Sequence, residues 1–443
     1  MYRRSFVRAL RAVAAGALAS PLLAACASAP ATPTAPPPTP AASAPPTVQP
    51  SPSPSPVTAT ATQPPTATAL PTVTPSPSVV ATRSPSPTAP GMRSPSATSS
   101  IKVGDPAVQV FLWGNPQTDL QLRLAKGGGF GWIKQSFEWR YIEPHVKGTF
   151  DWGEPDRVVS AVNAAGLKLI ARVDNQPVWA RADKVFPVVG PPDKLSDFTD
   201  FLSAMAARYK GRIHAYEIWN EPNLAREWGN KPPDPKGYVQ MVAASYKALK
   251  AIDPNALVIT AGMAPTTASG AIAMPDVDFL KAMYQAGLKG NFDLLGVHAA
   301  GYKAPPEASP DEVAKNPQYN HNEGAAGRIY CFRHVEDLRA VMTANGDAER
   351  RVAVMEMGWT SDDRPNSLYR WHSVTEAEKA DYLVRAFKFA RANWSPWMGM
   401  MTIIYQCAPH WTKNDEQYYW CITNPDGTSR PAYDELKKYL GGS

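Results

Sequence analysis

Eight short apolar runs alternate with eight amphipathic stretches between residues 108 and 440, and this alternation constrains the chain more than any other feature. The apolar runs cover residues 108–112, 132–137, 169–173, 213–219, 257–261, 294–298, 352–356 and 400–405, and they read as strands buried on both faces. The stretches between and after them, 119–126, 156–165, 195–209, 237–252, 278–286, 334–344, 375–392 and 431–440, read as amphipathic helices. Strict strand–helix alternation implies a parallel sheet covered by helices. Eight such units predict a closed (β/α)8 barrel, a TIM barrel, over residues 101–443 rather than an open doubly wound sheet.

The first 100 residues follow different rules. Of the 46 prolines, 21 fall between residues 27 and 100, where the chain is almost entirely Pro, Thr, Ser and Ala. Such a segment has too little apolar surface to offset chain entropy, so it is expected to be a disordered, semi-rigid linker. Residues 1–26 have the form of an export signal, with Arg3, Arg4, Arg8 and Arg11 ahead of an Ala/Leu-rich stretch too short to span a bilayer. The stretch ends in Leu23-Ala24-Ala25-Cys26, which resembles the lipobox of bacterial lipoproteins. That resemblance implies lipidation of Cys26 and an exported protein held at the cell surface or membrane by this anchor alone. An ordinary signal peptide with an incidental cysteine is the alternative. The net charge of +6 resides wholly in six arginines of residues 1–100, which contain no Lys, Asp or Glu. The barrel itself is electrically balanced, which argues against nucleic-acid binding, because that needs a basic face to displace counterions.

In a barrel of this kind reactive groups gather where strands end and βα loops begin. The fourth apolar run leads into Trp219-Asn220-Glu221-Pro222-Asn223, and the seventh leads into Glu356-Met357-Gly358-Trp359. One glutamate at a strand end is commonly a structural ion pair. Two carboxylates facing each other across a barrel mouth are what glycoside cleavage requires, one to protonate the leaving oxygen and one as nucleophile or base.

The first motif resembles the acid/base signature of glycoside hydrolase clan A, and the second resembles that clan's nucleophile strand. Trp139, Glu143-Pro144, Gly148, Phe150 and Trp152 are similar to the pattern that follows strand two in the same families. The resemblance covers residues 106–440 and is closest in style to families 39 and 5. It implies a retaining glycosidase with Glu221 as general acid/base, Glu356 as nucleophile, and Asn220 as partner of the sugar 2-hydroxyl. His298 closes strand six as the clan leads one to expect, while Ala300 stands where an aromatic hydroxyl often bonds the nucleophile, leaving Tyr302 as a possible substitute. The family 5 arginine of strand two is replaced by Lys134-Gln135-Ser136, and strand three offers Arg172. Because Glu221 must carry a proton for the first step, a negative Glu356 nearby is expected to raise its pKa.

Trp139, Trp359 and Trp411 lie at or beyond strand ends and are candidate sugar platforms, as indole faces stack on sugar C–H faces. Arg172 and His298 complete the candidate substrate-binding set. Histidine and cysteine spacings match no metal motif, so neither metal nor cofactor is expected. Three cysteines remain in the barrel, and Cys407 with Cys421 is the candidate disulfide, clipping the loop after strand eight. The expected partner is a carbohydrate, acted on by a monomer. A transglycosylase with the same site and a non-catalytic carbohydrate-binding lipoprotein are the alternatives.

Overall fold

The computed structural model describes residues 101–184 and 188–442; the leader, linker and Cys26 lie outside the described residues. Eight parallel strands close a barrel in the order β1-β2-β3-β4-β5-β6-β7-β8, so the chain is a TIM barrel. The strands are β1 (Asp105–Gln109), β2 (Trp132–Glu138), β3 (Lys168–Asp174), β4 (Ala215–Ile218), β5 (Leu257–Thr260), β6 (Leu294–Ala300), β7 (Arg351–Gly358) and β8 (Met398–Ile403). Each expected strand is present with bounds displaced by no more than a few residues, and β1 shows the largest shift, beginning three residues early. The eight expected helices are also present. Two short ones were not anticipated: Trp139–Ile142, and Pro310–Lys315 within the loop after β6. The second begins with a reciprocal Ser309/Glu312 capping box, which satisfies orphan backbone donors at the helix start.

Two apolar layers hold the barrel. Its interior is filled by Ala107, Trp132, Ile170, Ala215, Leu257, Ile259, Leu294, Ala353, Met355 and Met400. A larger layer packs the outward strand residues against the helices, with Phe198, Phe201, Leu202 and Met205 of helix Leu195–Arg208 as one buried face. These alternating inward and outward residues explain why the strands are apolar on both sides. Charged residues inside such strands are conspicuous, and Lys134, Arg172, Glu217 and Glu356 meet one another, Lys134 with Glu217 and Glu356 and Arg172 with Glu356.

Among the described residues the cysteines do not pair. Cys331, Cys407 and Cys421 are buried free thiols. Cys421 Sγ donates to Gln417 O at 3.3 Å, and burial together with the neighbouring Cys407 thiol pushes its pKa well up. The loop after β8 is secured instead by Lys379, whose Nζ donates to Tyr419 O and Cys421 O at 3.0 and 3.2 Å.

Candidate active site

β4 ends at Ile218, and the three residues after it make a strained turn. Trp219 (φ 73°) and Glu221 (φ 38°) both adopt left-handed backbone, which is costly for a side chain with a Cβ and persists only where surroundings over-determine it. The surroundings here are specific. Trp219 N donates to Val173 O at 3.0 Å, Glu221 N to Gly262 O at 3.1 Å, and the Trp219 indole to Glu227 O at 2.9 Å. The turn brings Glu221 into the barrel mouth with 1% exposure.

Glu356 enters from β7, next to His298 on β6 in register. His298 Nδ1 lies 3.2 Å from Glu221 Oε1 and 4.0 Å from Glu356 Oε2, so one imidazole nitrogen faces both carboxylates. The ring lies over Gly262, where an added Cβ would come within 2.0 Å of it, so a glycine is required there. Among the described residues, the charged neighbours of Glu356 Oε1 are Lys134 Nζ and Arg172 Nη1, both at 3.5 Å. Lys134 is shared: its Nζ also sits 3.0 Å from Glu217 Oε2 and donates to Met355 O at 3.1 Å. Arg172 pairs through Nε with Asp174 at 2.9 Å and donates through Nη1 to Asn220 Oδ1 at 3.2 Å, which fixes the orientation of the Asn220 amide. Burial works against the Arg172 charge, but Asp174, Glu356 and Glu217 outweigh it and hold its pKa above the usual value.

Glu221 departs from expectation. Burial alone would raise its pKa, yet Arg226 and His298 outweigh burial and hold it below the ordinary value. Arg226 Nη2 lies 2.6 Å from Glu221 Oε2, and its Nε lies 3.7 Å from Glu227 Oε1. The anticipated upward push from Glu356 does not decide the outcome, because a cation in direct contact acts over a shorter distance. Two further carboxyls at the rim, Glu138 and Glu416, are pushed up to about 7, in each case mainly by burial.

Tyr302 does not replace the missing hydroxyl. Its Oη donates to Pro265 O at 3.4 Å and its ring packs on Tyr330 and Trp371. Lys134 and Arg172 occupy the place beside Glu356 instead.

The aromatic candidates separate clearly. Trp139 and Trp359 are 0% exposed. The Trp139 indole donates to Glu143 Oε2 at 2.6 Å between Trp179 and Phe201, and that of Trp359 donates to Ala304 O at 2.9 Å. Trp359 also lies against Gly301, where a Cβ would fall 1.8 Å from its ring. Both are packing residues in this structure, and neither presents a face to a sugar. Trp411 packs edge-on against Phe111 and Tyr405 in the wall beyond β8, and its buried Nε1 has no hydrogen-bond partner among the described residues.

Sequence reasoning missed Arg226, Glu227 and the Lys134–Glu217 pair. The pair had a signal, a lysine and a glutamate inside strands apolar on both faces. Arg226 and Glu227 lie in a loop with no periodicity to mark them.

The sequence model of one family, described as cellulase (glycosyl hydrolase family 5), matches residues 94–323. Among solved structures, a family 39 glycoside hydrolase from the gut symbiont Bacteroides cellulosilyticus is 21% identical with a TM-score of 0.57, covering 78% of this chain and 65% of its own. A glucosidase from Croceicoccus marinus is 12% identical with a TM-score of 0.52, over 72% of this chain and 63% of its own. A family 5 variant from Bifidobacterium longum subsp. longum, solved with Manβ1-4GlcNAc, is 12% identical with a TM-score of 0.54, over 76% of this chain and 78% of its own. The chain thus spans slightly less than two thirds of the first two, and at these identities the likeness is one of fold. A comparison with curated proteins found no match.

Proposed function

The chain belongs to the cellulase family, glycosyl hydrolase family 5, and from that premise we propose that it is a retaining glycoside hydrolase cleaving O-glycosidic bonds of a poly- or oligosaccharide by double displacement. The observation that carries the reading is the single His298 nitrogen that faces Glu221 at 3.2 Å and Glu356 at 4.0 Å. These two contacts cap the separation of the facing oxygens near ~7 Å, which accommodates the ~5–5.5 Å of retaining pairs and lies below most of the ~6.5–9.5 Å range of inverting ones. Lys134 and Arg172 both lie on Glu356 Oε1, which leaves Oε2 to attack an anomeric carbon. Glu221 protonates the leaving oxygen in the first step and activates water in the second. Asn220, whose amide Arg172 orients, is read as the partner of the sugar 2-hydroxyl. The test is the configuration of the first-formed product, followed by proton NMR before mutarotation. Retention is expected, and an inverted product would rule out the double displacement.

The same reading places the enzyme outside a bacterial cell, tethered through Cys26 with residues 27–100 as a stalk. This part rests on the sequence of the leader and linker. Cys26→Ser should move the protein from the membrane fraction to the soluble fraction; continued membrane association would show that another element anchors it.

A further inference from the structure

The double displacement uses Glu221 and Glu356 but leaves a third carboxyl in the mouth unemployed. Glu227 ends the single 3-10 turn Ala225–Glu227, six residues after Glu221, and its side chain is 12% exposed. The turn is tied down by Ala225 N to Ile272 O at 2.9 Å, Glu227 N to Leu224 O at 3.1 Å and the Trp219 indole to Glu227 O at 2.9 Å. Arg226, between them in sequence, reaches both carboxyls, 2.6 Å from Glu221 and 3.7 Å from Glu227.

One guanidinium facing two carboxyls, Glu221 buried and Glu227 partly buried, sets the proton count. If both were ionised, the trio would bury a net negative charge; with one proton it is neutral, which costs far less away from water. In the resting arrangement the guanidinium sits on Glu221. Burial, with the charge of Glu221 next and Asp174 adding, pushes Glu227 up to about 8 against the opposing pull of Arg226 and Arg172. Asp174 is itself paired with Arg172. Besides Arg226, Glu221 faces His298, with Glu356 beyond the imidazole and the hydroxyls of Tyr302 and Tyr369 nearby. An acid/base in this state is ionised, and a general acid must be protonated.

We propose that Glu227 is a positioning residue that stores the proton Glu221 delivers, with Arg226 pairing with whichever of the two carboxyls is ionised. The proposal rests on the reading of Glu221 as acid/base. When a glycosidic oxygen displaces Arg226 from Glu221 Oε2, the guanidinium turns to Glu227. Glu227 releases one proton, Glu221 gains one, and the guanidinium stays protonated throughout, so the trio remains neutral and nothing is oxidised or reduced. Solvent at Arg226, 26% exposed, carries the proton.

The test compares wild type, Glu227→Gln and Glu227→Asp in the pH dependence of kcat/KM on an aryl glycoside with a poor leaving group. The wild-type alkaline limb should fall near pH 8, the value held by Glu227. In Glu227→Gln the only proton left belongs to Glu221, whose pKa is held down, so the limb should move to lower pH. At pH 7 that variant should lose at least about tenfold relative to wild type, yet agree within about threefold at the acid end of the profile. Glu227→Asp should return the limb toward wild type. Infrared spectra of the unliganded protein supply a second readout: the protonated-carboxyl absorption at pH 7, to which Glu138 and Glu416 also contribute, should lose its Glu227 component in Glu227→Gln. A uniform loss at all pH values with the limb unmoved, or a protonated-carboxyl absorption that the substitution leaves undiminished, would overturn the proposal. A wild type inactive on every glycoside would instead overturn the acid/base reading, and the infrared band would still report where the proton resides.

Discussion

Glu356→Ala should be inactive on every natural and activated glycoside, because without its carboxylate no covalent intermediate can form. Glu221→Ala should fail differently. Unassisted departure of a poor leaving group costs typically 10²–10⁴-fold, so activity on polysaccharide should fall by that order while an aryl glycoside with a good leaving phenol keeps far more. Added azide separates the two roles by product. In Glu221→Ala it should capture the glycosyl-enzyme and give a glycosyl azide of retained configuration. In Glu356→Ala it should enter the cavity left by the nucleophile and give the inverted one. Swapped products would reverse the assignment, and normal activity in both variants would remove both residues from catalysis. The structure adds a reason to expect asymmetry: Glu356 is flanked by Lys134 and Arg172, whereas Glu221 is contacted by Arg226 and His298, so each alanine leaves a different set of partners without their carboxylate.

The largest stability effect is expected beneath Glu356. Lys134 is 1% exposed and Glu217 0%, and they face each other at 3.0 Å inside the barrel. Lys134→Met should cost about 3–5 kcal/mol, the usual penalty for breaking a buried ion pair by removing one partner, since Glu217 is then left as an uncompensated charge. Replacing both, as Lys134→Met with Glu217→Leu, should recover much of the loss, because well-packed apolar residues often serve as well as a buried pair. Chemical denaturation of the single and double variants measures both. Equal stability of wild type and Lys134→Met would show that the pair contributes nothing. Activity should separate from stability in the double variant: Glu356 would regain a folded barrel yet lack the Lys134 contact that holds Oε1, and kcat should stay depressed.

The alternation of apolar runs and amphipathic stretches determined the barrel, its strand order and the level at which the site lies. Those properties follow from local periodicity: an apolar run buried on both faces must be an inner strand, and each following helix must cross back to start the next parallel one. The two glutamates were legible for the same reason, since a carboxylate near or just beyond the end of an apolar strand is carried to the barrel mouth wherever the fold closes. What the tertiary structure alone decided was which groups meet there. Closure brings Lys134 of β2, Arg172 of β3, His298 of β6 and Glu356 of β7 around one oxygen pair, although up to 222 residues of sequence separate them. It turns Trp219 and Glu221 into left-handed backbone, seats Arg226 on Glu221 and so reverses the expected direction of its pKa. It also withdraws Trp139 and Trp359 into the packing and leaves Cys407 and Cys421 as neighbouring thiols. Local pattern records which face of an element is apolar. It carries no record of distances of a few ångströms between residues on different strands, and charge interactions and sugar access depend on those distances.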